Sequence, residues 1–136
     1  MDPKRAAAIP LLAVLDRRAL DQVLRSAREQ TFAPGEVVVA QGDPATRLFV
    51  IVEGPAAVEQ AEQGRVGTLN AGEFFGELAL IEAHGRTATV RAETQLTCLI
   101  IPAWEFKASL DEHPKMAIPM LETIITRLHR REHHVS

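Results

Sequence analysis

All eight glycines of this 136-residue chain (Gly35, Gly42, Gly54, Gly64, Gly67, Gly72, Gly76 and Gly85) lie between residues 35 and 85, and the flanks contain none. Glycine weakens helices and serves where a strand must turn, so a glycine-rich middle between glycine-free ends predicts turn-rich β structure flanked by helices. The periodicity agrees. Asp16 can N-cap a helix whose apolar residues Leu20, Val23, Leu24 and Ala27 recur at helical spacing. From Thr31 the pattern changes to short β-prone runs, Val37–Val39, Leu48–Val52, Ala56–Val58 and Val66–Leu69, then Thr87–Val90 and Leu96–Ile101. Pro34-Gly35, Gly42-Asp43-Pro44, Gly54-Pro55, Gln63-Gly64 and Asn70-Ala71-Gly72 punctuate them at the spacing of a β-sandwich or barrel.

The last third returns to helix. Pro102 can start one through Trp104, Phe106 and Leu110, with Trp104 and Phe106 as core anchors. Pro114 can start another in which Ile118, Leu121, Ile125 and Leu128 form an apolar stripe, free to close over the barrel or to pair with its copy in a dimer. Pro119 removes a backbone donor there, which predicts a kink or a late start.

Composition sets the outer limits. With 46% hydrophobic and 24% charged residues the chain is one globular domain of residues 1–136, without linker or repeat. Its parts are N-terminal helices over 1–30, a barrel over 31–101 and C-terminal helices over 102–136. A lone cysteine, Cys98, can form neither an internal disulfide nor a Cys-based zinc site, which favours a reducing, cytoplasmic setting. No apolar run reaches the roughly 18 residues of a membrane span. Fifteen basic against eighteen acidic residues, net −3, argue against direct DNA binding. A local anion site stays compatible with that balance.

Such a site is suggested where the β pattern breaks. In Phe74-Phe75-Gly76-Glu77-Leu78-Ala79-Leu80-Ile81-Glu82-Ala83-His84-Gly85-Arg86-Thr87, a short helix-prone piece begins after one glycine and ends at another. Its first N–H groups can receive an anion, and the Arg86 guanidinium can clamp a phosphate. A Glu77 carboxylate repels phosphate but accepts from a sugar hydroxyl, so the set fits a sugar phosphate. The local alternative is a surface turn in which Glu77 caps the helix and Arg86 pairs with Glu82 or Glu77.

The segment Phe75-Gly76-Glu77-Leu78-Ala79-Leu80-Ile81, followed by Arg86-Thr87-Ala88-Thr89-Val90, closely resembles the phosphate-binding cassette of cyclic-nucleotide-binding domains. Upstream, Phe32-Ala33-Pro34-Gly35-Glu36-Val37-Val38, Gln41-Gly42-Asp43 and Leu48-Phe49-Val50-Ile51-Val52-Glu53-Gly54 carry the resemblance further, to about residues 9–130 in all. The family includes catabolite-activator-type regulators, protein kinase regulatory regions and cyclic-nucleotide-gated channels. The resemblance implies an α+β fold, a jelly-roll barrel of about eight strands with a short phosphate-binding helix inside cassette 74–90, between an N-terminal helical segment and two C-terminal helices.

By position, the resemblance implies that Glu77 accepts the ribose 2′-OH beside Gly76 and Leu78. Arg86 binds the cyclic phosphate, and the N–H groups of Ala79 and Thr87 complete the cradle. Val58, Val66 and Leu69 align with base-facing positions, for each of which ordinary core packing is the competing reading. Thr87 accompanies cGMP in eukaryotic members and cAMP in bacterial ones, so cAMP is expected first and cGMP second. The last helix would cover the base, with Arg127, Leu128 and Arg131 in reach; a solvated basic helix end is the plainer reading of the arginines.

The resulting expectation is a stand-alone, non-enzymatic regulatory module that reports cAMP or cGMP by moving its C-terminal helix, through an unknown effector or a homodimer. The alternative is a degenerate barrel used for protein contact without ligand. A metal is not expected. His129, His133 and His134 read as a polar helix end, His84 as the one histidine of the β region, and no serine has a triad setting.

Overall fold

The structure, a computed structural model, describes residues 1–44, 46–76 and 88–135, with backbone alone for 130–135. Two prolines open the first helices, α1 (Pro3–Ala7) and α2 (Pro10–Ala13), each at a position where the missing N–H has no helical partner to lose. Asp16 caps α3 (Arg17–Ser26), its carboxylate accepting from the Ala19 N–H at 2.8 Å. The predicted cap and stripe are both present, and Ala27 is the residue after the helix.

Eight antiparallel strands follow among the described residues: β1 (Arg28–Phe32), β2 (Val37–Val39), β3 (Arg47–Glu53), β4 (Ala56–Gln60), β5 (Gly64–Leu69), β6 (Phe74–Phe75), β7 (Thr89–Ala92) and β8 (Leu96–Pro102). They form two four-stranded sheets, ordered β1-β8-β3-β6 and β2-β7-β4-β5. The jelly-roll expected from the resemblance is the fold observed. β1 begins three residues before the predicted change at Thr31, and Phe74–Phe75, read as part of an interruption, pairs with β3. β7 starts two residues beyond Thr87 and extends to Ala92, which exchanges backbone hydrogen bonds with the Gly35-Glu36 turn.

The β3–β8 pair explains the two longest apolar runs. Leu48 and Val50 of β3 and Leu99 and Ile101 of β8 face an outer core with Leu11, Leu12, Leu20 and Val23 of the N-terminal helices. Phe49 and Ile51, with Leu96, Cys98 and Ile100, face an inner core inside the barrel. A strand buried on both faces reads as a continuous apolar run rather than an alternation. The second sheet shows the alternation: Val90 and Ala92 point inward, while Arg91 faces solvent and bonds Glu59 at 2.8 Å.

After β8 come α4 (Ala103–Glu112), a 3-10 turn at Pro114–Met116, and α5 (Ala117–Val135). Phe106 is fully buried, but Trp104 is 69% exposed and is not a core anchor. Two residues apart on a helix is about 200° of rotation, so both cannot face the same core. Pro119 is the third residue of α5, where its missing donor costs no hydrogen bond; the late start is realised through the preceding 3-10 turn.

Candidate functional site

The barrel interior is where β4, β5 and β6 meet the inner core. In the β4–β5 ladder Ala56 stands opposite Leu69 and Val58 opposite Gly67, after which the register slips so that Glu59 meets Arg65. Directly opposed residues share a face. Ala56 and Leu69 lie in the inner core, Val58 is partly buried against it, and Gly67 faces the same way. A Cβ placed on Gly67 would meet no described atom within 4 Å, which leaves open space beside Val58. Val66 is the extra residue of the bulge and is 39% exposed. Of the three predicted base-facing positions, the ladder thus brings Val58 and Leu69 to the interior and leaves Val66 at its rim.

Gly67, inside the predicted β run Val66–Leu69, is a further candidate for the interior. The available signal was its place inside the run Val66-Gly67-Thr68-Leu69, since a glycine within a strand marks a bulge or a close approach rather than a turn.

β6 leads into the cassette. Asn70–Glu73 forms a closed turn, with the Asn70 N–H on the Glu73 carboxylate at 2.7 Å and Gly72 at a φ of +91°. The Gly72 N–H donates to the Ile51 carbonyl and the Ile51 N–H to the Glu73 carbonyl, both at 2.8 Å, which seats β6 on β3. Phe75 stacks on Phe49, ring centroids 4.7 Å apart. Gly76 follows with a φ of +90°, a left-handed conformation that residues with a Cβ rarely adopt. Glu77, Leu78, Ala79, Arg86 and Thr87 lie outside the described residues, as do His84 and Gly85.

Helix α5 reaches the same region through Arg127. Its Nη2 donates to the Phe74 carbonyl, and its guanidinium carbon lies 5.0 Å from the Phe74 ring centre. α5 has three faces. Met120, continuing the line of Met116 in the preceding turn, is buried, and Thr123, Ile124 and Arg127 are half-buried on the docked side. Ile118, Leu121, Ile125 and Leu128 are 57%, 56%, 51% and 53% exposed, so the predicted stripe is not closed over the barrel here. Glu122, Thr126 and His129 occupy the third, polar face. Beneath the start of α5, Ile9, Pro10, Val52, Phe74, Pro119 and Thr123 line an open groove of about 540 Å³.

Burial pushes the Cys98 thiol up to about 12, which keeps it protonated at neutral pH and removes it as a nucleophile. Among the described residues no three metal-ligating side chains converge, and no helix is long and apolar enough to cross a membrane.

A family model described as the cyclic nucleotide-binding domain matches residues 29–113, from β1 to the end of α4. The chain belongs to the cyclic nucleotide-binding domain family. It is 35% identical over 121 residues to a cyclic nucleotide-gated potassium channel of Rhizobium etli, a match covering 89% of this chain and 34% of the channel. Against the cAMP-dependent protein kinase regulatory subunit of Schizosaccharomyces pombe it is 36% identical over 88 residues, 65% of this chain and 21% of that subunit. The chain thus spans about a third or less of the length of these curated relatives. Among solved structures, the N-terminal domain of a transcriptional regulator from Streptomyces coelicolor A3(2) superposes with a TM-score of 0.68 at 27% identity, covering 97% of this chain and 95% of that domain. The Thermus thermophilus catabolite activator protein shares the fold, with a TM-score of 0.76 at 22% identity over 93% of this chain and 61% of that one.

Proposed function

We propose that this cyclic nucleotide-binding domain takes up cAMP, and cGMP less tightly, and reports occupancy through α5. The observation that carries the reading is that the family match encloses Gly76-Glu77 and Arg86-Thr87, while β4 and β5 turn Val58, Leu69 and the side-chain-free Gly67 toward one interior. Glu77 accepts the ribose 2′-OH, Arg86 binds the cyclic phosphate, and the N–H groups of Ala79 and Thr87 complete the cradle, with Leu78 next to Glu77 in sequence as a further ligand contact. Val58 and Leu69 pack on the base, with Val66 at the rim. The module is regulatory, acts in the cytoplasm and needs no metal.

Calorimetric titration tests this. Wild-type chain binds cAMP more tightly than cGMP, and Arg86→Ala weakens cAMP by about a hundredfold, or roughly 2.7 kcal/mol, without loss of fold. Equal affinity in the variant, or a wild-type chain whose melting temperature neither nucleotide raises, overturns the reading.

The exposed α5 stripe supports a partner-facing role alongside ligand binding. A second copy of the chain fits best, because the 3, 4, 3 spacing of Ile118, Leu121, Ile125 and Leu128 is that of a self-pairing helix seam. The same stripe is what favours the alternative reading, a protein-contact module that has dispensed with its ligand.

A further inference from the structure

Among the described residues β6 is the last strand of its sheet, paired with β3. Along an antiparallel strand successive carbonyls point to opposite sides. The Glu73 carbonyl points toward β3, where it accepts from the Ile51 N–H. The Phe74 carbonyl therefore points off the open edge. An unpaired edge acceptor near a core needs a partner, and here that partner is Arg127, arriving from α5 across 53 residues of sequence. The same guanidinium lies over the Phe74 ring, which is only 2% exposed. Two contacts from one side chain thus hold both the backbone and the ring of a single residue.

The position of this tie matters on both sides. On the helix, Met120 is the last buried apolar residue among those described, so the following turns of α5 are held by half-buried Thr123, Ile124 and Arg127. On the barrel, Phe74 is two residues before Gly76, whose φ of +90° is left-handed backbone at the entry to the cassette. Gly76 is joined to the Phe74 carbonyl through Phe75 alone, so a shift that pulls on Gly76 passes through the Phe49–Phe75 pair and reaches the Phe74 carbonyl one residue later.

We infer that Arg127 is a positioning residue, a latch that fastens the second half of α5 to β6 and couples the position of that helix to the nucleotide site. The coupling rests on the nucleotide-binding reading above; the tie itself does not. Arg127 then acts on the ligand through the strand leading into the cassette. By linkage, a ligand that changes how firmly the latch closes moves α5, and a partner that moves α5 changes nucleotide affinity by the same factor.

Hydrogen exchange on the full chain tests the latch with Arg127→Ala and Arg127→Lys, each with and without cAMP. Without nucleotide, amides of α5 beyond Met120 and of β6 exchange about tenfold faster in the alanine variant, while β3 and β8 keep their protection. Lysine, which can still donate to one carbonyl, restores most of it. With cAMP, the change in α5 exchange seen in wild type shrinks to about a third or less in Arg127→Ala, with affinity altered about tenfold or less. Unchanged ligand-free exchange in Arg127→Ala overturns the latch. So does a cAMP-induced change in α5 that survives intact, including one accompanied by a large loss of affinity, which would make Arg127 a direct base contact. A wild-type chain that binds no cyclic nucleotide overturns the coupling together with the function proposed above, and faster ligand-free exchange in the variant would then retain the tie alone.

Discussion

Val58 and Gly67 face each other across the β4–β5 ladder, one presenting a branched side chain to the barrel interior and the other none. The space beside Val58 therefore exists because residue 67 has no Cβ, and its φ is one that other residues can adopt.

Filling that space separates binding from folding. Gly67→Val should leave the melting temperature equal or higher, since a β-branched residue suits a strand interior better than glycine by roughly 0.5–1 kcal/mol. It should weaken cAMP by about tenfold through lost room for the base. Paired melting and calorimetry check both signs, and a variant with full affinity would place the base elsewhere.

The Phe49–Phe75 stack should matter to stability first. Both rings are buried, so Phe49→Ala is expected to cost about 3–5 kcal/mol in denaturant unfolding. Phe75→Leu keeps most of the volume and should cost about 1.5 kcal/mol, including the lost ring pair.

Self-association should depend on the exposed stripe. Leu121→Glu with Ile125→Glu puts charge on a surface that is already solvated in the monomer, so the melting temperature should change little. Sedimentation should show a concentration-dependent dimer for wild type and a monomer for the double variant. A monomeric wild type would assign the stripe to a different partner.

Cys98 makes the alkaline limb specific. Its thiol is raised from 9.0 to about 12 in the folded chain, so folding holds the proton more tightly than the unfolded chain does. Nothing is lost below pH 9; as pH rises from 9 toward 12 the unfolded thiol ionises first and stability falls. Cys98→Ala should show a shallower decline over that window, and thiol reagents should modify wild type only through unfolding.

How far the sequence could be read depended on what each residue type reveals. β3 and β8 were plain because burial on both faces leaves no polar interruption in Leu48–Val52 or Leu96–Ile101. β1 was missed in part because Arg28-Glu29-Gln30-Thr31-Phe32 buries only its last residue. Trp104 has the residue type of a core anchor but stands about 200° from buried Phe106 around α4, which carries it to the surface. On α5 the stripe of branched residues stood out, whereas the docked side, built from Met120, Thr123, Ile124 and Arg127, is chemically mixed and has no pattern to detect. Arg127 stands out by its reach from the last helix and its capacity to stack on a base, but its partner is a backbone carbonyl, which carries no side-chain signature. The cassette was legible as a motif, and Gly76 as the conformational break that opens it.

The β3–β8 pair divides the molecule into two cores, and this has a genetic consequence. Each strand assigns odd and even positions to opposite compartments, so inserting or deleting one residue in either strand exchanges the two sets at once. A size change here costs stability at one position of one core, whereas a length change disrupts both cores together. β5 already accommodates one extra residue at Val66, so length variation among homologues should collect there and in the turns, and pass over the partition between the cores.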